Sequence, residues 1–260
     1  MIEPLLSTRG IPTQSASRRG WPDAVLPSDD RLARALPCVL SVIAGATDVI
    51  GFLGLSGLFT AHVTGNLVIL TARILAGSPA IFSHVLAVPV FMLVLLLTCL
   101  VAGVIERSGR SSLRPLLLLH FMMLAAFFGL SIAPGLLPNG NVTLPVVAGM
   151  FGVAAMAVQN ALVQIGLRDT PSTAVMTTNV TRLMLEIGTV LVGRDATEIA
   201  KAKRRALRIF PVIVGFAIGC GLGAVGEATA GLWSLILPAL LALIAYAMGT
   251  ASTQLAGVRR

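Results

Sequence analysis

Apolar residues run along this chain in long uninterrupted stretches, and the places where they stop define the elements. Six stretches reach the roughly 20 apolar residues that a helix needs to cross a bilayer. They cover residues 36–58, 82–105, 114–133, 143–166, 208–226 and 230–251. Two shorter apolar stretches, 61–76 and 173–191, each open with a polar motif: TAHVTGN at 60–66 and TAVMTTN at 173–179. The motifs agree at Thr60/Thr173, Ala61/Ala174, Thr64/Thr177 and Asn66/Asn179, four of seven positions. The pattern therefore predicts an all-α, polytopic membrane helical bundle of six full spans and two short motif-bearing, re-entrant helices. Its two pseudo-symmetric halves cover about 36–133 and 143–252.

Composition agrees with that reading. The chain is 56% hydrophobic and 12% charged, against roughly 45–50% and 25% in an ordinary soluble domain, and its mean hydropathy is +0.91. Residues 1–35, rich in Pro, Ser and Arg, lack an apolar core of signal-peptide length and read as a disordered cytoplasmic tail. Residues 253–260 read as a short basic cytoplasmic tail.

The net charge of +8 lies in loops and tails rather than on a folded basic face, so it bears on orientation and gives no reason to expect nucleic acid. Arg107, Arg110 and Arg114 mark the loop at 106–114; Arg194, Lys201, Lys203, Arg204 and Arg205 mark the loop at 192–207; residues 134–142 carry no charge. If all eight stretches crossed, the 106–114 loop would fall opposite the basic N-terminal tail, against the positive-inside tendency. If the two motif stretches enter and leave on one side, every basic loop and both termini are cytoplasmic. Each half then has three full spans, an odd number, and the second half is inverted relative to the first, as in many transporters.

Candidate chemistry gathers around the motifs. Asp48, within the first span, costs about 2.5–3.5 kcal/mol on insertion scales and marks a functional position. The expected substrate-binding or coupling set is Asp48, Thr60, His62, Thr64, Gly65, Asn66, Asn160, Thr177 and Asn179, with Arg73, Arg182 and Glu186 as charge partners for Asp48. Arg182 and Glu186 also stand four apart, the spacing of a local ion pair. The bland alternative for the motif residues is helix packing and hydrogen bonding to their own backbone. Gly215, Gly219 and Gly223 form a close-packing face; Pro89 and Pro238 predict kinks; Cys38, Cys99 and Cys220, with no metal or disulfide spacing, read as small buried apolar residues. No catalytic or nucleotide-binding motif is present, which points away from an enzyme and gives no reason to expect a cofactor or a metal.

The run GATDVIGFLGLSGLFTAHVTGNLVIL and the later QNALVQIGLRDTPSTAVMTTNVTRL resemble the two signatures of the YoaK-like family, bacterial integral-membrane proteins of unknown function. The resemblance covers residues 36–252 and carries over Asp48, Thr64, Gly65, Asn66, Gln159, Asn160, Thr177 and Asn179 as pattern positions. It implies no substrate. The expectation is a multi-pass inner-membrane secondary transporter or permease for a small polar or anionic solute. The alternative is a non-transporting scaffold or assembly component that binds other helices through its glycine faces. Expected partners are membrane lipid, an unidentified solute and, as an open alternative, a second copy of the chain.

Overall fold

In the computed structural model, residues 31–77, 82–133, 143–167 and 170–258 are described. The N-terminal tail expected over 1–35 lies outside them up to residue 30, as do the uncharged stretch 134–142 and the last two arginines. Among the described residues every regular element is a helix, with no strand. In order, the helices are α1 (Arg31–Gly54), α2 (Val63–Leu75), α3 (Phe82–Arg107), α4 (Leu113–Ile132), α5 (Thr143–Gly166), α6 (Met176–Val192), α7 (Ala196–Ala230) and α8 (Ile236–Val258), with a 3-10 turn at Gly231–Leu235 between the last two.

Five described stretches are long and apolar enough to cross a membrane, the last of them, Ala196–Thr250, holding both α7 and most of α8. α1 and α5 are the buried helices: two-thirds or more of each apolar window is covered by the bundle. α1 packs on α7 and α8, α5 packs on α3 and α4, α4 meets α8, and the short helices α2 and α6 lie against α3 and α7. Outward faces carry Leu93, Leu97, Leu100, Val104, Leu240 and Ile244 in the open, an apolar perimeter suited to lipid.

Several boundaries differ from expectation for identifiable reasons. α1 stops at Gly54 instead of continuing to 58, because Ser56 (φ 54°) and Gly57 (φ 81°) turn left-handed and the Gly57 amide returns to the Phe52 carbonyl at 2.8 Å, which closes the helix. The expected loop at 192–207 is mostly helix. Asp195 accepts from the Thr197 amide at 2.8 Å as an N-cap, and α7 begins there, so the basic residues form the helix's first turns. The Thr197 hydroxyl, then its amide, hold the Asp195 carboxyl below the usual range. The C-terminal stretch expected as a tail is helical to Val258. Pro238 sits in the first turn of α8, where a missing N–H breaks no intrahelical bond, so no kink is needed there; Pro89 lies inside α3. Cys99 faces outward rather than inward.

The glycine face of α7 meets α1 at backbone contact. A Cβ at Gly219 would stand 2.2 Å from the Val42 carbonyl oxygen, one at Gly223 2.8 Å from the Ala46 carbonyl oxygen, and one at Gly215 3.0 Å from the Cys38 carbonyl oxygen. Gly45 answers from α1, its would-be Cβ 2.3 Å from the Phe216 carbonyl oxygen. Only hydrogen fits at these crossings, and the approach sets Cys220 of α7 against Gly45, three residues before Asp48 on α1.

Candidate functional site

Asp48 lies six residues before the end of α1, and the chain leaving that helix folds back to it. Asp48 is 3% exposed. Its Oδ1 accepts from the Thr60 amide at 2.8 Å, the Ala61 amide at 2.8 Å and the Thr60 hydroxyl at 3.2 Å, and its Oδ2 pairs with His62 Nδ1. A buried carboxylate thus satisfies the amides of an irregular segment that has no helical partners of its own. That matching of demands explains why an acidic residue is tolerated at such depth.

The rest of the first motif fixes the same segment. Asn66, 2% exposed in the first turn of α2, accepts from the Phe59 amide at 2.9 Å and donates to the Phe59 carbonyl at 2.7 Å, so both ends of its amide serve one residue. Gly65 leaves room for the Phe59 ring, 2.8 Å from a would-be Cβ, and that ring stacks on Phe52 at 4.7 Å. α2 then climbs back toward the end of α1. Near its C-terminus Arg73 donates to the Ser56 carbonyl, and His84 at the start of α3 contacts the Gly57 carbonyl at 3.1 Å. The chain therefore descends from Ser56 to the level of Asp48 and returns to the level it left. α2, at 13 residues, spans about 20 Å at 1.5 Å per residue, less than the roughly 30 Å of a hydrocarbon core.

The second motif segment is held by a different set of bonds. Gln159, fully buried in α5, donates to the Thr173 hydroxyl at 2.8 Å and to the Leu40 carbonyl of α1 at 2.9 Å. Asn179 donates to the Ser172 carbonyl at 2.5 Å, seven residues back, as Asn66 does to Phe59. Thr173, which aligns with Thr60 in the motif, accepts through its hydroxyl from the Gln159 amide, whereas Thr60 donates through its backbone amide and hydroxyl to the Asp48 carboxylate. Gln159 Oε1 and Asn179 Oδ1 are buried without a hydrogen-bond partner among the described residues.

Of the expected residues, Asp48, Thr60 and His62 come together directly, and Asn66 and Gly65 support them. Thr64 and Thr177 are exposed on the first turns of α2 and α6. Asn160 donates to the Met156 carbonyl of its own helix at 2.9 Å, the bland outcome for a polar residue in a span. The charge partners are corrected. His62 pairs with Asp48, while Arg73 reaches Ser56, and Arg182 is exposed with no ion pair among the described residues. Nor do Arg182 and Glu186 form the local pair their spacing suggests: Glu186 takes a bidentate bond from Arg205 of α7, at 2.6 and 2.8 Å, which pins α6 to α7. Gln159 and Thr173 were absent from the expected site set, although Gln159 is a family-pattern position and Thr173 aligns with Thr60. Among the described residues, no cluster of three His, Cys, Asp or Glu could hold a metal.

Asn66→Ala separates the motif's two roles. Losing both bonds to a part-buried peptide costs about 1–3 kcal/mol for each backbone group left unpaired, whereas Thr64→Ala removes an exposed side chain and leaves stability within about 0.5 kcal/mol. Thermal unfolding of the two variants in detergent reads the contrast directly.

A bundle of apolar helices with an apolar perimeter defines a multi-pass integral membrane protein. The chain belongs to the family described as "Protein of unknown function (DUF1275)", whose model matches residues 36–248. No curated protein and no solved structure matches it.

Proposed function

We propose that this is a non-enzymatic secondary transporter or permease of the inner membrane for a small polar solute, built from two inverted halves with α2 and α6 as re-entrant helices. The observation that carries the reading is the irregular segment 55–62 returning to buried Asp48. Non-helical backbone at membrane depth is tolerated where protein or a water-filled cavity surrounds it, and transporters place substrate and coupling-ion sites at such breaks. His62 and Asp48 form an ionisable pair in contact, the kind of group used to couple solute movement to protons. The oxygens of Gln159 and Asn179, buried without a hydrogen-bond partner among the described residues, favour a solute bearing N–H or O–H groups over an anion.

The packing supports two related halves. Exchanging α1 for α5, α3 for α7 and α4 for α8 turns the α1 contacts with α7 and α8 into the α5 contacts with α3 and α4. With three crossings in each half, both termini and the loops at 106–114 and 192–207 share the cytoplasmic side, in keeping with their arginines and lysines. The same signature residues underlie the likeness to the YoaK-like family.

Thr64 and Thr177 provide the test, since both are exposed on the first turns of the two motif helices. In a variant with its three native cysteines replaced, cysteine at either position is expected to react with a small water-soluble thiol reagent, and one fraction of a polar-metabolite library should slow both reactions. Inert cysteines at both positions would place these turns against lipid or another helix and favour the scaffold reading.

A further inference from the structure

A crevice of about 330 Å³ lies between the C-terminal half of α6 and the basic first turns of α7, away from the Asp48 segment. Ile187, Val190 and Leu191 line one side, Ala206 and Leu207 the other, and Lys203 stands at its edge. Leu191 and Leu207 are 78% and 73% exposed, so neither helix covers the apolar surface between them. Glu186 and Arg205 bridge the two helices nearby.

The charges around the crevice are not equally committed. Arg205 is taken by Glu186 and Lys201 by Glu198 at 2.8 Å, but Lys203, Arg204 and Arg208 are exposed and have no carboxylate partner among the described residues. The apolar part of α7 begins at Ile209, so Lys203 lies about 9 Å further along the helix at 1.5 Å per residue. With the apolar part in hydrocarbon, that puts the Lys203 backbone just outside the headgroup layer of about 5–7.5 Å, from which its long side chain reaches back to lipid phosphates. An apolar slot open to the side, with uncommitted cations above it, complements a molecule with a hydrocarbon chain below an anionic head.

We propose that this crevice holds one anionic phospholipid, an acyl chain lying between Leu191 and Leu207 and the phosphate on Lys203 and Arg204. A soluble anion would use the cations but not the apolar slot, and a zwitterionic lipid would use the slot with little gain from the cations.

Native mass spectrometry of the full-length protein in detergent, titrated with phosphatidylglycerol or phosphatidylcholine, tests this. Phosphatidylglycerol is expected to bind at least about tenfold more tightly. Lys203→Gln with Arg204→Gln should weaken it about 30-fold, the effect of two near-surface charges, and leave phosphatidylcholine binding unchanged. Lys203→Arg should retain it. Ala206→Phe, which fills the slot and keeps the charges, should weaken it by about tenfold. Equal affinity for the two lipids, or unchanged phosphatidylglycerol binding in the double glutamine or the Phe variant, would overturn the proposal. Displacement of phosphatidylglycerol by excess inorganic phosphate would also overturn it, by making this a site for soluble anions.

Discussion

Asp48→Ala will fail to accumulate as folded protein, whereas Asp48→Asn will fold and, in the transporter proposed above, lose ion-linked uptake. The alanine leaves the Thr60 and Ala61 amides buried and unpaired, at about 1–3 kcal/mol each, and removes the partner of His62. With its carbonyl in place of Oδ1, asparagine keeps the three bonds from Thr60 and Ala61. Its NH₂ can donate to His62 Nδ1 when the imidazole proton sits on the other nitrogen. The substitution therefore preserves the turn while abolishing the charge, and because Asp48's partner is a histidine, it strands no buried arginine. Yield of monodisperse protein and melting temperature read the first effect, and uptake into proteoliposomes the second. A stable Asp48→Ala protein would show that the segment does not depend on the carboxylate.

Gly219→Val will separate α1 from α7. Any Cβ at this position lies 2.2 Å from the Val42 carbonyl oxygen and 2.9 Å from its Cα, and the obstacle is backbone, which cannot swing away as a side chain does. Overpacking in a rigid interior costs about 1–3 kcal/mol where side chains give way, and more where they cannot, so loss of folded protein is expected. Gly221→Val is the control, since a Cβ at Gly221 meets nothing within 4 Å and the same residue type is introduced two positions away on the same helix. Equal melting temperatures for the two variants would contradict the crossing. Because α1 carries Asp48, a displaced α1 also disturbs the segment it anchors.

Hydropathy found the long helices because lipid imposes the same demand at every turn; the stretch expected at 143–166 coincides with α5, and 114–133 with α4 to within one residue at each end. It missed the start of α7 because residues 196–207 are charged and helical at once. The cap signal was nevertheless present in Asp195 followed by Glu198. The recurrence of Thr, Ala, Thr and Asn marks the two irregular segments in the sequence itself. What those residues bind was not legible, since His62 reaches Asp48 only if the chain reverses between 55 and 61, and Gly219 identifies no partner until α1 lies across it. Glu186 shows the same limit: helical spacing offers it Arg182, but a neighbouring helix supplies a better-placed guanidinium.

In the proposed arrangement α2 and α6 leave on the side they enter, which places the 106–114 and 192–207 regions on one face of the membrane. Single cysteines at Ser111 and Ala200, both exposed, in a background lacking Cys38, Cys99 and Cys220, report this directly. With an impermeant thiol reagent, both are expected to stay unlabelled in intact cells and to label fully once the membrane is opened. Strong labelling of Ser111 alone from outside intact cells is the result that full crossing by α2 and α6 requires, and it would contradict the re-entrant account.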